Sequence, residues 1–199
     1  SGGGTTADFS DGANWADGVA PTSDSTTSVL IAGDVNLGSS SAPINQDVGT
    51  PMVLNRLHVA GYSNGGDDVV LGGGALQFET DGTTTPTIVA NRLQAVTIQN
   101  DLVAAADLTM NVYDGDADGD LIIEGQISGD GAITKIENGT LVLAGDNTYT
   151  GTTTISAGVV QVGNGGTTGS LGAGSVENKS SLVFNRSNDL TVSNSISGS

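Results

Sequence analysis

The sequence predicts an all-β fold in which short strands stack as a solenoid, and three observations carry this prediction. Stretches of alternating apolar or β-branched residues follow one another along nearly the whole chain, separated by glycine-rich turns. The 199 residues include 31 glycines but only 4 % aromatic residues, so a wide core would be hard to fill. Part of the sequence also recurs at a fixed distance. Short strands alone would allow a β-sandwich as well, but a recurring unit with small side chains favours a solenoid.

The strands follow from short runs of Val, Ile, Leu and Thr bounded by turn residues. In order, the sequence predicts them within 28–37, 54–61, 68–73, 75–80, 86–90, 95–104, 107–113, 121–127, 131–136, 139–145, 153–163, 181–185 and 190–196. The turns between them include SNGGDD (63–68), DGDADGD (114–120) and GNGGTTG (163–169). Residues 102–108 have a composition that a helix would tolerate, but no helix is predicted.

The repetition is visible when residues 119–130 (GDLIIEGQISGD) are placed over residues 188–199 (NDLTVSNSISGS), an offset of 69. Residues 112–114 match residues 183–185 at an offset of 71. A corner that varies in length between copies is expected of stacked coils, because each coil has to match only its neighbours. The interior would then be a narrow ladder of small apolar side chains.

The charge balance excludes several classes of partner. The chain has 22 Asp and Glu against five Lys and Arg, which gives a net charge of −17. The five basic residues, Arg56, Arg92, Lys135, Lys179 and Arg186, are scattered, so no patch for nucleic acid or for an anionic membrane is expected. No apolar run approaches the length of a membrane span, so direct membrane insertion is not expected. The absence of cysteine excludes disulfides and thiolate chemistry.

Residues 128–164 carry a resemblance to a known family. The segment opens with SGDG and ITK, continues as GTLVLAGDNTYTG and closes with TTISAGVVQVG. It resembles the autotransporter-associated β-strand repeat, the passenger-associated transport repeat of bacterial surface proteins. The resemblance implies a right-handed parallel β-helix that belongs to a long exported or surface-anchored chain. It also implies that neighbouring modules or further copies of the repeat are the partners.

The residues of this segment support that expectation independently. Leu141, Leu143 and Ile155 are expected to face one side of the coil. Three glycines, at positions 139, 145 and 151, are expected at corners that need a positive φ or a close backbone approach. Asn147 is suited to a left-handed corner or to capping free backbone groups.

The domain organisation is expected to have two parts. Residues 96–199 are predicted to form β-helix repeats that include the 128–164 motif. Residues 1–95 are predicted to form a β region with the start or cap of the solenoid, and a β-sandwich stays open for this part because it shows no clear repeat. Phe9 and Trp15 are expected to cap the open end, with a sugar-stacking platform as the alternative.

The strongest candidate for a bound ion is the acidic corner 113–124 (YDGDADGDLIIE). Asp114, Asp116, Asp118 and Gly119 match the first half of an EF-hand calcium loop, and Asp120 completes the acidic set. The twelfth position is Gly125 instead of a bidentate Glu. Calcium binding by the four aspartates is therefore one hypothesis, and a solvated acidic corner is the other.

No catalytic residue is predicted. His58 is the only histidine, and no G-x-S-x-G elbow accompanies it. The carboxylate pairs Asp8/Asp11 and Asp67/Asp68 lie in turns, where they are expected to be solvated. Lyases that act on uronates from a β-helix need basic residues, which are scarce here.

The sequence therefore predicts a non-enzymatic, extracellular structural module of a secreted or cell-surface bacterial protein. It would provide a β-helical stalk or fibre for surface display and adhesion, with no cofactor apart from the calcium hypothesis. A glycan-binding adhesin, with specificity in loops such as 61–68 or 113–120, is the first alternative. A carbohydrate-active enzyme is the second.

Overall fold

The computed structural model describes residues 8–15, 17–32, 44–49, 51–61, 68–92, 94–115 and 119–198. The described strands are β1 Ser28–Ala32, β2 Ile44–Gln46, β3 Met52–Leu54, β4 Arg56–Gly61, β5 Val69–Gly73, β6 Leu76–Phe78, β7 Thr87–Arg92, β8 Val96–Ile98, β9 Leu102–Ala104, β10 Leu108–Val112, β11 Leu121–Ile123, β12 Ile127–Gly129, β13 Ile133–Ile136, β14 Thr140–Leu143, β15 Thr153–Ile155, β16 Val159–Val162, β17 Val176–Asn178, β18 Ser181–Phe184 and β19 Ile196–Gly198. One 3₁₀ turn, Gly12–Asn14, precedes them. No described helix is long and apolar enough to cross a membrane.

These strands form three parallel sheets, which are the three sides of a solenoid. The first sheet has the order β1-β4-β7-β10-β13-β15-β17-β19, the second has the order β18-β16-β14-β11-β8-β5-β2, and the third has the order β12-β9-β6-β3. The chain visits the three sides in turn and then returns to the first, one coil further along. This is the predicted right-handed parallel β-helix, with the hand that parallel crossovers take.

The third side continues beyond β12 as hydrogen-bonded backbone without a regular strand. Thr148 N–H donates to Ile127 O at 2.8 Å, and Thr150 N–H donates to Gly129 O at 3.0 Å. These bonds stack one corner on the previous coil, so backbone groups that a strand would have paired still have partners.

The same parallel pairing occurs on both sides of residue 95. Strand β4 pairs with β7 and β7 pairs with β10 in the first sheet, while β5 pairs with β8 in the second. The described strands of residues 1–95 are therefore coils of the solenoid. The β-sandwich that the sequence left open for this part is not what the structure forms.

The coil register differs from the offset of 69 residues seen in the sequence. Thr153 lies on Ile133, Val176 lies on Thr153, and Ile196 lies on Val176, so Ile196 is the equivalent of Ile133 three coils further along. Ile127, which the offset placed over Ile196, lies in the third sheet. The offset was therefore wrong as a coil period. An apolar residue followed by Ser-Gly suits a strand that enters a corner on any side of the solenoid. The sequence Ile-Ser-Gly therefore recurs on two different sides.

The interior is one continuous apolar cluster that runs from Phe9 to Val176. Val, Ile and Leu stack on each other from coil to coil, as in the column Val96, Leu121, Leu141 and Val160. Leu141, Leu143 and Ile155 are all buried, which confirms that they face the interior. Small side chains suit this geometry because the coils approach to the strand spacing of about 4.8 Å.

Candidate functional site

The repeat segment contains a lysine inside the apolar core. Lys135 lies between Met110 and Ile155 in the first sheet, and all three side chains are fully buried. A buried ammonium requires hydrogen-bond acceptors, because its loss of hydration is costly. The strand register therefore places the Lys135 side chain in the interior, where the neighbouring coils carry apolar side chains.

The ammonium of Lys135 finds its acceptors at the corner after β13. It donates to Ile136 O at 3.0 Å and to Glu137 O at 2.7 Å in its own coil, and to Ala157 O at 3.2 Å in the following coil. Glu137 has a φ of 68°, the one positive value among the described non-glycine residues. The lysine thus fixes a left-handed corner from the inside and ties it to the coil above.

Burial lowers the pKa of Lys135 to about 8, although the carboxylates of Asp120 and Glu137 act in the opposite direction. Asp120 is 4 % exposed, and its carboxylate has a structural task of its own. Oδ1 accepts the Gly115 N–H and Oδ2 accepts the Thr140 N–H, each at 2.7 Å. The Asp120 carboxylate therefore joins the acidic corner to the repeat, because it accepts backbone N–H groups from both and attracts the buried Lys135 ammonium.

We expect the stability of the protein to rise with pH between 7.5 and 9.5. In this range the unfolded chain keeps its lysine proton, since its pKa is near 10.5, while folded Lys135 loses its proton through a pKa of about 8. The unfolded state then binds more protons, so the free energy of unfolding increases by roughly 1–2 kcal/mol. Urea unfolding at constant ionic strength measures this change. In Lys135→Met the rise should vanish, and an equal rise in the variant would contradict the assignment to Lys135.

A second polar contact stacks the coils beside Tyr149. Asn147 Oδ1 accepts the Ile127 N–H at 2.7 Å, and Asn147 Nδ2 donates to Ser170 O at 2.7 Å. Asn147 therefore caps backbone groups of the coils below and above, which is one of the two roles predicted for it. Tyr149 is fully buried, and its hydroxyl forms a 2.7 Å hydrogen bond with Thr153 Oγ1. Burial raises the pKa of the Tyr149 hydroxyl, so it is a neutral core group.

The predicted calcium ligands are only partly covered by the structure. Asp116 and Asp118 lie outside the described residues, Asp114 is exposed, and both oxygens of Asp120 accept backbone N–H groups. Among the described residues there is no group of three or more acidic or histidine side chains that could hold a metal ion. Calcium binding at Asp114, Asp116, Asp118 and Asp120 stays a prediction.

Among the other candidate residues, the described carboxylates accept hydrogen bonds from neighbouring parts of the chain, whereas His58 Nε2 has no partner. His58 Nε2 is buried without a hydrogen-bond partner, and burial together with the nearby Arg56 charge lowers the pKa of His58. Asp68 accepts the Ala95 N–H at 3.2 Å, whereas Asp67 lies outside the described residues. Asp8 accepts from Asn45 Nδ2 at 2.9 Å. Asp11 caps the 3₁₀ turn through the Ala13 N–H at 3.0 Å.

The aromatic pair Phe9 and Trp15 covers the apolar interior beside β2. Phe9 is 3 % exposed and belongs to the core, and its N–H donates to Asn45 O at 2.9 Å. Trp15 meets Phe9 edge-on with ring centroids 5.4 Å apart, and its indole N–H donates to Phe9 O at 2.8 Å. This geometry fits the capping role that the sequence suggested for the pair.

The role of Lys135 is the feature that sequence reasoning missed. In the sequence it stands out only as one of five scattered cations and as part of the ITK opening. Its alternation with Ile133 in ITKI, in phase with buried positions, is the signal that would have placed it inside.

The stacked coils place the chain among the parallel β-helix proteins. Residues 133–162 match the family model of the passenger-associated transport repeat, which confirms the resemblance predicted over 128–164. The chain is also 39 % identical over 127 residues to the adhesin BmaC autotransporter of Brucella suis biovar 1 (strain 1330). That alignment covers 64 % of the chain and 3 % of the adhesin, so the chain corresponds to a small part of its relative. No solved structure matches the chain.

Proposed function

We propose that this chain is a non-enzymatic structural module of an exported bacterial surface protein, in which it provides length and stiffness to a β-helical stalk. The observation that carries the proposal is the continuous parallel stack, in which the matched passenger repeat spans one coil and two strands of the next, stacked like the other coils. The similarity to a protein named as an autotransporter adhesin supports a cell-surface or secreted location. Each coil would contribute length through backbone pairing with its neighbours, and no single coil would carry a unique site.

Removal of one coil tests this proposal, because a stalk tolerates a change of length. Deletion of residues 133–152 joins Ala132 to Thr153, which is the residue that pairs with Ile133 in the next coil. The shortened chain should fold cooperatively and lose about 5 Å of length, the spacing of one strand. Small-angle X-ray scattering and thermal unfolding followed by circular dichroism measure both properties.

The control for this experiment is a deletion that ignores the coil period. Deletion of 133–142 removes half a coil, so it places polar residues in the interior and should abolish cooperative unfolding. If the complete-coil deletion unfolds the protein as fully as the half-coil deletion, the modular stalk is contradicted.

A glycan-binding adhesin is the second candidate, favoured by the name of the relative. Specificity would then lie in the corners at 61–68 and 113–120, of which 62–67 and 116–118 are outside the described residues. A glycan array with the intact chain tests it. Binding that survives the coil deletion but is lost on replacement of either corner with Gly-Ser residues would favour the adhesin.

A further inference from the structure

The ammonium of Lys135 lies among three backbone oxygens that belong to two successive coils. Its Nζ is 3.0 Å from Ile136 O, 2.7 Å from Glu137 O and 3.2 Å from Ala157 O. An ammonium has three N–H donors and no acceptor, so these three carbonyls, which we call the carbonyl cradle, use its full hydrogen-bonding capacity. The carbonyl cradle could accept the same bonds from another ion that carries N–H donors.

The backbone of the corner after β13 holds two oxygens of the carbonyl cradle in place. Glu137 has a φ of 68°, which a residue with a side chain adopts only where the surrounding structure imposes it. The turn directs the successive carbonyls of Ile136 and Glu137 at one atom, whereas successive carbonyls of an extended strand point in opposite directions. At the end of the corner, Gly139 N–H donates to Val112 O of the preceding coil at 2.9 Å.

The following coil fixes the third oxygen. Ser156, the residue before Ala157, donates its N–H to Lys135 O at 2.9 Å. Gly158, the residue after Ala157, lies so close to the first corner that a Cβ there would be 2.7 Å from Glu137 O. Because paired backbone on both coils sets the positions of the three oxygens, we expect the carbonyl cradle to persist without the ammonium, with its oxygens unpaired.

The surroundings of the carbonyl cradle favour a single positive charge that carries N–H groups. The carboxylates of Asp120 and Glu137 attract a positive charge at the Lys135 Nζ. The distances of 2.7–3.2 Å are those of N–H···O hydrogen bonds. Calcium binds roughly six to eight oxygens at about 2.3–2.6 Å, and magnesium requires an octahedron at about 2.0–2.1 Å. Three carbonyls at the observed distances suit neither divalent ion.

An apolar passage leads from the strand to the carbonyl cradle. The Lys135 side chain lies between Met110 and Ile155 of the neighbouring coils, and all three side chains are fully buried. The passage therefore packs against the methylene groups of the lysine, while the carbonyl cradle binds its charged end. A ligand that matches both parts has a short alkyl chain and a primary ammonium group.

We propose that the carbonyl cradle and its apolar passage form a binding site for a primary alkylammonium ion. In this chain Lys135 occupies the site as a ligand tethered to its own strand. When the tether is shortened, the site binds a free alkylammonium of matching length. This inference goes beyond the stalk function, because it assigns a class of ligand to one corner of the repeat segment.

Lys135→Ala tests the proposal with propylammonium chloride as the free ligand. The substitution removes the three methylene groups and the ammonium beyond Cβ, which propylammonium replaces atom for atom. Because the ligand binds only the folded chain, a concentration of one hundred times its dissociation constant should raise the folding equilibrium constant about hundredfold. Thermal unfolding followed by circular dichroism at pH 7 measures the rise, with sodium chloride added to keep the ionic strength constant.

Two other small molecules separate the site from weaker explanations. Propan-1-ol has the same alkyl chain without the charge, and tetramethylammonium has the charge without N–H donors. Neither should stabilise Lys135→Ala as propylammonium does. An equal rise with propan-1-ol would mean that the ligand only fills an apolar cavity, and an equal rise with tetramethylammonium would mean that any cation suffices. Either result, or no rise with propylammonium, would overturn the proposal.

The parent chain and Met52→Ala are the matched proteins. In the parent chain Lys135 already fills the site, so propylammonium should leave the melting temperature unchanged. Met52 is also fully buried and of similar length, but it lies in the third sheet, away from the carbonyl cradle. A preference for propylammonium over propan-1-ol in Met52→Ala would contradict the assignment of the site to this corner.

A second variant keeps the test independent of ligand entry and of the stability of Lys135→Ala. Lys135→Cys introduces a single thiol, since the chain has no cysteine. In the unfolded chain its thiolate displaces bromide from 2-bromoethylamine, which gives a side chain that ends in an ammonium, or from 1-bromopropane, which gives a neutral side chain of the same length. After refolding, urea unfolding should show the charged product to be at least about tenfold more stable in its folding equilibrium constant, because only its N–H groups pair the three carbonyls. A neutral product of equal or greater stability would overturn the proposal.

Discussion

Replacement of Gly125 with alanine is expected to destabilise the protein by about 3 kcal/mol or more. Gly125 lies in the corner between β11 and β12, directly against the corner of the previous coil. A Cβ at this position would fall inside van der Waals distance of Asn100 O, Asn100 C and Asp101 N, which are all backbone atoms. A flexible side chain could move aside, but the backbone of a paired coil moves only if its hydrogen bonds lengthen. The two coils would have to separate at this corner.

Gly166→Ala is the matched control for this substitution. A Cβ on Gly166 has no atom within 4 Å, and its φ is not in the left-handed region. Urea unfolding should place this variant within about 0.5 kcal/mol of the parent. If Gly125→Ala unfolds at the same urea concentration as Gly166→Ala, the coils do not rely on close approach at this corner.

The corner glycines show how much of the fold the sequence could reveal. Glycines 139, 145 and 151 were expected where the backbone turns sharply or passes close to another segment. In the structure a Cβ at each would meet backbone of the coil below, at Tyr113, Gly125 and Gly131 respectively. Close approach, and not a positive φ, is the reason at all three. Such glycines were predictable because they recur between apolar strands, at corners where the backbone of one coil lies too close to the next to leave room for a Cβ.

Strand register was much less predictable. The strands Ile44–Gln46 and Val176–Asn178 were missed because each has one apolar residue at its start followed mainly by polar residues, so no alternation marks them. The offset of 69 residues paired segments that lie on different sides of the solenoid. Each side accepts the same alternation of apolar and polar residues, so sequence similarity between two strands does not say which side they occupy.

The polar contacts of the site were only partly visible in the sequence. Asn147 was recognised as a capping residue because its local turn context suggests one. The sequence predicts Asp120 as a calcium ligand together with its acidic neighbours, because a sequence shows which residues are close along the chain but not which are close between coils. Its partner Thr140 is 20 residues away and its electrostatic partner Lys135 is 15 residues away, so coil stacking alone brings the three residues together.

Replacement of Asp120 with alanine is therefore expected to destabilise the protein by about 3–5 kcal/mol at neutral pH, in the presence of a calcium chelator. The change removes the acceptors of the Gly115 and Thr140 N–H groups. It also removes a carboxylate that offsets the burial of the Lys135 ammonium. Both losses occur at a site that is 4 % exposed, so water replaces little of what is removed. At pH 9.5 the cost should be smaller, because Lys135 is then neutral in the folded protein.

Asp114→Ala separates this structural role from the calcium hypothesis. Asp114 belongs to the same acidic corner and to the same predicted ligand set, but it is exposed. In chelator, its loss should change the free energy of unfolding by less than about 0.5 kcal/mol. If millimolar calcium raises the melting temperature of the parent and Asp114→Ala abolishes that rise, the corner binds calcium. A cost for Asp120→Ala that is small in chelator and appears only with calcium would contradict the backbone role, because the carboxylate would then stabilise the fold only through the ion.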